Sequence, residues 1–500
     1  MRNFVGYPYR ARLDEIKKKR VKKGQVLFRS KPFCYILEYG CQAQFCENCL
    51  VNIKDHSLPL TCKCGRTRYC SENCRQVGQV IHFRECQVFQ RRPNFKPKNL
   101  TMFMARIIWK LNAGGYEISE KIDEKRSRRF RDLESHIPDI KKDPSRREIL
   151  INLRHELRQL VGPNMLPSNP ELVAIYGRVC INMFALLDDQ FDSIGLALYL
   201  APSIMDHSCC PNAFVSFQGK QIVVRSLVDH DNFNWNKVRI TYIDQLNLNS
   251  SRREQLLKNY YFLCDCPFCK DDHRARMQSS INCGNPACEN GIFIDLDVDD
   301  DQPLEPCHQC GFSDLSADVR STYRGVITFT KDTLNGMSES DPCPDMVSDI
   351  LDMQGELLHP LNAWRAKTLD AFLTAALARS CWTVALRTMR QNQEAVKWYY
   401  GSDHPNYGLF LVRMGRAELF MTEHKAAVDH LYMAQDILEV GVGSAHPAMH
   451  AEASNLLIRA SGEMVADMKR ADFKFHLQRD KDMKNKLGSS KTEGTVPEFG

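Results

Sequence analysis

Cysteine spacing constrains this chain more than any other feature. Between positions 46 and 86 stand Cys46-Glu-Asn-Cys49, Cys62-Lys-Cys64, Tyr69-Cys70-Ser-Glu-Asn-Cys74 and His82-Phe-Arg-Glu-Cys86. These seven cysteines and His82 are enough ligands for two tetrahedral zinc ions, and thiolate with imidazole suits a borderline-soft metal that imposes no geometry of its own. So short a segment buries little core, so its folding free energy is expected to come from metal, about 10–16 kcal/mol per structural zinc. Farther on, Cys264-Asp-Cys266-Pro-Phe-Cys269 is one ligand short of another site, and Cys209 is the candidate fourth. Cys283 and Cys288, then Cys307 and Cys310 followed by Gly311, read as a fourth, ribbon-like zinc site, the alternative being that some of these cysteines merely pack. Most of the 21 cysteines stand in short-range pairs and no secretory apolar segment opens the chain, which favours reduced thiolates and a nuclear or cytoplasmic protein.

The cysteine sets surround one further stretch. The apolar run Ala197-Leu-Tyr-Leu-Ala ends in a polar knot, Asp206-His207-Ser208-Cys209-Cys210, with a turn signal at Pro211-Asn212. A second strand-like run, Val238-Arg-Ile-Thr-Tyr242, follows about thirty residues later. One zinc shared by Cys209 and the Cys264, Cys266, Cys269 triplet would tie the knot to the segment after Tyr242 and close a pocket between them.

At these residues the chain resembles the SET-and-MYND (SMYD) family of protein lysine methyltransferases. The resemblance implies that Asn182, Asp206 and His207 contact S-adenosylmethionine, that the Tyr242 hydroxyl orients the methyl group and the amine, and that Phe262 lines the channel near the cofactor. It implies a cross-braced MYND finger with Cys46, Cys49, Cys70 and Cys74 on one metal and Cys62, Cys64, His82 and Cys86 on the other. Three zinc ions are expected from these sets, and a fourth from the ribbon. Two departures weigh against full activity. The family's Gly-x-Gly cofactor loop falls on Arg12-Leu13-Asp14, and Asp206 replaces the family asparagine, an acceptor-only carboxylate for an amide that can also donate. A third departure is the single residue between Cys62 and Cys64, where the family has two, which points to a strained site.

The expected fold is α+β and multidomain, a SET β-fold split by a MYND finger and a helical insert. Residues 1–45 hold the first SET strands, 46–86 the finger, 87–175 the insert, 176–245 the SET core, 246–275 the post-SET segment and 276–317 the ribbon. Residues 25–37 read as a strand pair, and the mixed-charge run 121–132 as a solvated helix face. Residues 318–475 read as helical pairs. His359-Pro360, His404-Pro405 and His446-Pro447 recur at near-regular intervals, each proline suiting a first helical turn, and the segment resembles the family's tetratricopeptide-like domain. Residues 476–500 read as a disordered tail.

A net charge of +6 over 500 residues announces no nucleic-acid binder, and the basic residues are scattered apart from the block at 17–23, so DNA is an unlikely partner. No apolar run approaches the roughly 18 residues of a membrane span. Two functions remain. One is a lysine methyltransferase acting on a histone tail or another protein. The other is a weak or inactive relative that gathers partners, with proline-containing peptides at the finger and a chaperone or other peptide in the helical groove, as the resemblance implies. No Ser-His-Asp or paired-carboxylate constellation suggests another chemistry.

Overall fold

The computed structural model describes residues 20–54, 59–299, 302–337 and 342–489. Two antiparallel three-stranded sheets form the centre. In the first, Gln221–Ser226 lies between Val26–Ser30 and Ala213–Gln218, with Val224 opposite both Phe28 and Val215. In the second, Ser193–Leu198 lies between Cys34–Leu37 and Met183–Leu187, with Ala197 opposite Tyr35 and Phe184. Their β-branched and aromatic residues meet in one buried cluster that includes Tyr35, Leu37, Ile222 and Val224. The strands within 25–37 therefore do not pair with each other. Pro32 between them cannot donate to a ladder, and the Phe33 N–H starts a new one on Leu198 O at 2.7 Å.

The strand-like run at 238–242 is ordered as a strand only over Arg239–Ile240, which pairs in parallel with Asp206–His207. The helix Asn99–Asn112 is buried along most of its length and packs against Pro144–Leu160 and Asn169–Asn182. Residues 121–132 contain no α-helix. They complete a hairpin of Ser119–Lys121 with Ser127–Arg129, because the Asp123 carboxylate accepts the Lys125 and Arg126 N–H groups and folds a turn.

From Val319 to Ser489 the described residues are mainly helical. Phe214 and Leu227 of the central sheet region share a buried cluster with Leu411, Met414 and Leu438, seating the helical domain on the sheet. The three His-Pro pairs owe their recurrence to histidine as much as to proline. His359, His404 and His446 each accept, at Nδ1, the N–H two residues on, at 3.1, 3.2 and 3.2 Å. The cap requires an unprotonated Nδ1, and burial lowers His404 to about 3 and His446 to about 4. The unfolded chain takes up protons below the ordinary 6.5 that the folded chain refuses, so stability falls as pH drops from about 6.5 toward those values. Each such histidine contributes a slope of about 1.4 kcal/mol per pH unit. His404→Asn, which keeps a capping acceptor, is expected to reduce the slope of unfolding free energy against pH by about one histidine's share. Denaturant unfolding between pH 7 and pH 4.5 measures it.

The last helix, Asn455–Ser489, carries through residues expected to be disordered, since Lys, Met, Gln and Arg are good helix formers whatever their charge. Residues 490–500 and 12–14 lie outside the described residues. The described part of the basic block is engaged by acids: Lys23 Nζ lies 2.6 Å from Asp403, and Lys22 and Arg20 lie 3.9 Å from Asp229 and Asp231.

Candidate active site

The helix Asn169–Asn182 delivers Asn182 at its C-terminal end, and the Asp206–His207/Arg239–Ile240 pair sets His207 beside Tyr242. At the end of Asn249–Tyr260, Tyr261 takes a left-handed conformation (φ 62°), which turns the chain so that Tyr260 and Phe262 face the same cavity. That cavity, about 810 Å³, is walled by Asn182, Asp206, Tyr242, Tyr260 and Phe262, and reaches Phe184, Phe217 and His404 at its far side.

The Tyr242 ring lies 5.0 Å from Tyr260 and 5.3 Å from His207, and its hydroxyl donates to the Met205 carbonyl. Burial, with Asp206 nearby, pushes the phenol above its ordinary pKa, so it remains a neutral hydroxyl. His207 accepts the Tyr242 N–H at Nδ1 (3.0 Å), which leaves Nε2 protonated and 3.3 Å from Cys209 Sγ. One imidazole thus links the cysteine cluster to the tyrosine backbone. It does not wall the main cavity, lining instead a smaller pocket with Cys210 and Arg239. Asn182 Nδ2 donates to the Glu134 and Arg178 carbonyls at 2.7 and 2.8 Å. Asp206 is neither buried nor unpartnered. Its side chain is 51% exposed, and a carboxylate oxygen lies 3.6 Å from Arg239 across the strand pair.

Among the described residues, four clusters are able to hold a metal ion: Cys46, Cys49, Cys70, Cys74; Cys62, Cys64, His82, Cys86; Cys209, Cys264, Cys266, Cys269; and Cys283, Cys288, Cys307, Cys310. Within each, the ligand atoms lie within 4.8 Å of one another. Zn–S bonds near 2.3 Å in a tetrahedron set sulfurs roughly 3.8 Å apart. Cys49–Cys70 and Cys209–Cys269, both 3.6 Å, approach that spacing, while Cys62–Cys64 at 2.9 Å is compressed by its single intervening residue.

No family model matches the chain. It is 24% identical to the histone-lysine N-methyltransferase SMYD3 of Homo sapiens over 430 residues, covering 85% of this chain and 90% of that protein. Over most of its length the chain is thus similar to SMYD-family lysine methyltransferases, as a divergent relative. It is also 23% identical over 446 residues to the histone-lysine N-methyltransferase ASHR1 of Arabidopsis thaliana, covering 85% and 88% of the two chains. To the N-lysine methyltransferase SMYD2-B of Danio rerio it is 29% identical over 248 residues, 49% of this chain and 55% of the other. No helix among the described residues is long and apolar enough to cross a membrane.

Several groups in this candidate site escaped sequence reasoning. Arg128, from the hairpin read as a solvated helix, lines the cavity, and its buried Nη1 has no hydrogen-bond partner. His136, in a left-handed conformation (φ 44°), lines the same wall, and Tyr260 completes the aromatic face. His404 is 4% exposed, and its buried Nε2 has no partner and must carry the proton, since Nδ1 accepts. Arg252 is 2% exposed and pairs with no carboxylate among the described residues, yet it packs near the Cys209 cluster. Four thiolates around a divalent ion carry net charge −2, which would give that buried guanidinium a nearby counter-charge.

Proposed function

We propose that this chain is an S-adenosylmethionine-dependent protein-lysine N-methyltransferase, with zinc in the two MYND clusters and the Cys209 cluster. The observation that carries the reading is the aromatic wall of Tyr242, Tyr260 and Phe262, braced through His207 to the Cys209 cluster, facing one cavity with Asn182. The residues fit the cofactor's chemistry. Aromatic faces suit a sulfonium cation, and the unpartnered Arg128 Nη1 suits a carboxylate.

When bound, S-adenosylmethionine supplies an electrophilic methyl group, which the lysine nitrogen lone pair takes as the C–S bond breaks, leaving the thioether and a proton. A free lysine has a pKa near 10.4, so presenting the neutral amine at pH 7 costs about 4.6 kcal/mol. Desolvation between aromatic side chains offsets part of that cost, and alignment can contribute about 7–11 kcal/mol of barrier reduction. Asp244, in the same cavity wall, accepts a hydrogen bond from the Tyr400 hydroxyl at 2.7 Å, and its carboxylate suits a lysine ammonium.

Calorimetric titration of zinc-loaded protein with S-adenosylmethionine tests the reading. Saturable binding at micromolar Kd is expected. No heat up to millimolar concentration would favour the second reading, a partner-gathering relative acting through its MYND finger and helical domain, which the Asp206–Arg239 pairing supports. Because Asp206 is half exposed, Asp206→Asn is expected to raise cofactor affinity no more than several-fold and to change stability by less than about 1 kcal/mol. Weaker binding in that titration would refute the idea that the carboxylate opposes the cofactor.

A further inference from the structure

None of the described residues of the ribbon at 276–317 lines the cavity. The ribbon's regular structure is two three-residue strands, Ser280–Asn282 and Gly291–Phe293, too little to hold a fold alone. Yet its loops converge. Cys283 and Cys310 sulfurs lie 3.5 Å apart and Cys288 and Cys307 sulfurs 3.8 Å apart, close to the roughly 3.8 Å edge of a zinc tetrathiolate and far beyond a disulfide bond near 2.05 Å. Gly311, in the left-handed region (φ 73°), closes the second knuckle, where its N–H meets Cys307 O at 2.8 Å. Gly284 closes the first against Phe312, whose ring would lie 2.3 Å from any Cβ there. Asn290 Nδ2 donates to Cys307 Sγ at 3.4 Å, as amides do to thiolates.

What the ribbon touches defines its role. Ile281, Cys283, Ile292 and Cys307 share one buried cluster with Tyr323, Ile327, Leu358 and Trp364 of the helical domain. The edge strand bonds to the same domain: Asn282 N–H to Leu357 O at 2.8 Å, and Asn362 Nδ2 to Ser280 O at 3.0 Å. His359 Nε2 donates to Glu289 O at 3.0 Å, and Arg320 and Arg324 donate to carbonyls of Asp295 and Leu296. On the other side, Gln278 Oε1 accepts the Asn249 N–H at 2.7 Å, joining the ribbon to the helix that precedes the Cys264 triplet.

We propose that Cys283, Cys288, Cys307 and Cys310 bind a zinc ion whose role is to lock the C-terminal helical domain to the post-SET segment. The metal stands in for the core that the ribbon lacks, and two of its ligands belong to the interdomain core. Losing it loosens the domain seam while leaving the MYND finger and the His207–Tyr242 brace intact.

Native mass spectrometry of the full chain with zinc tests the count, and hydrogen exchange tests the role. Wild type is expected to carry four ions, and Cys310→Ser, which removes the exposed ligand, three. In that variant, exchange over 278–294 and 357–364 is expected to accelerate at least tenfold, with 46–50 and 205–209 unchanged. A Cys310→Ser variant that carries as many ions as wild type would overturn the site. Loss of one ion with unchanged exchange would overturn the locking role. Should the serine variant fail to fold, Cys310→His is expected to retain four ions and wild-type protection. Three ions with wild-type protection there would equally overturn the proposal.

Discussion

Arg106→Leu is expected to destabilise the protein by about 3–5 kcal/mol, the cost of breaking a buried ion pair by removing one partner. Arg106 extends from the helix Asn99–Asn112 and is 5% exposed. It donates to Glu85 through Nε and through Nη2 (2.9 Å), to Glu47 Oε1 at 2.7 Å and to the Tyr35 carbonyl at 2.8 Å. Glu47 follows the ligand Cys46, and Glu85 holds His82 Nδ1 at 2.8 Å while His82 Nε2 faces Cys62 and Cys64. One guanidinium thus anchors the two N-terminal cysteine clusters to the helix Asn99–Asn112 and to a central strand. Without it two carboxylates, 2% and 1% exposed, lose their common counter-charge. The loss of His82 orientation is further expected to weaken metal at the compressed Cys62–Cys64 cluster by about 10–100-fold. Chemical denaturation of zinc-loaded protein reads the first effect, and competition with a metal-binding dye the second. A triple exchange, Arg106→Met with Glu47→Gln and Glu85→Gln, is expected to recover much of the stability but not the metal affinity. A destabilisation under 1 kcal/mol for Arg106→Leu would show that water reaches these carboxylates.

That network shows why some of this molecule was legible in the sequence and some was not. The cysteine sets could be read because ligand chemistry restricts residue type and spacing together, and the structure collects the same four groups. Glu47, Glu85 and Arg106 are ordinary charged residues in charged or apolar surroundings, and only the fold brings positions 47, 85 and 106 together. Arg128 was hidden for the opposite reason. Its neighbours are charged, so the run resembled a solvated surface, and the Asp123 turn that folds it over the cavity is a local cue easily outweighed by composition. Asp206 was identified as a departure, but its partner, Arg239, is set by parallel strand register, which hydrophobic pattern over two residues cannot specify. The His-Pro repeat was visible as a period, while its physical cause, an imidazole lone pair on the second N–H ahead, depended on burial keeping the ring neutral.

Tyr242→Phe is expected to lower kcat for lysine methylation by about 10²–10³-fold, the usual effect of deleting one oriented polar group in an enclosed site, while cofactor Kd changes less than threefold. The hydroxyl donates its proton to the Met205 carbonyl, so toward the cavity it presents lone pairs. An electropositive methyl in flight and an amine N–H are both groups that a lone pair orients, and neither benefits from a phenyl ring. The ring contacts with Tyr260 and His207, and the backbone N–H donated to His207 Nδ1, survive the exchange, so the cavity keeps its shape. Leaving the buried Met205 carbonyl without its donor is expected to cost about 1–3 kcal/mol of stability, a shift small enough for assay at 25 °C. Single-turnover transfer of labelled methyl from S-adenosylmethionine to a lysine-containing peptide library separates the two quantities. A variant that binds cofactor as wild type does and turns over within threefold of it would assign the orienting role elsewhere, with Tyr260 the next group in the same wall. A variant that loses cofactor binding as well would mean that the hydroxyl acts through Met205 to hold the 205–209 segment, making Tyr242 a positioning residue.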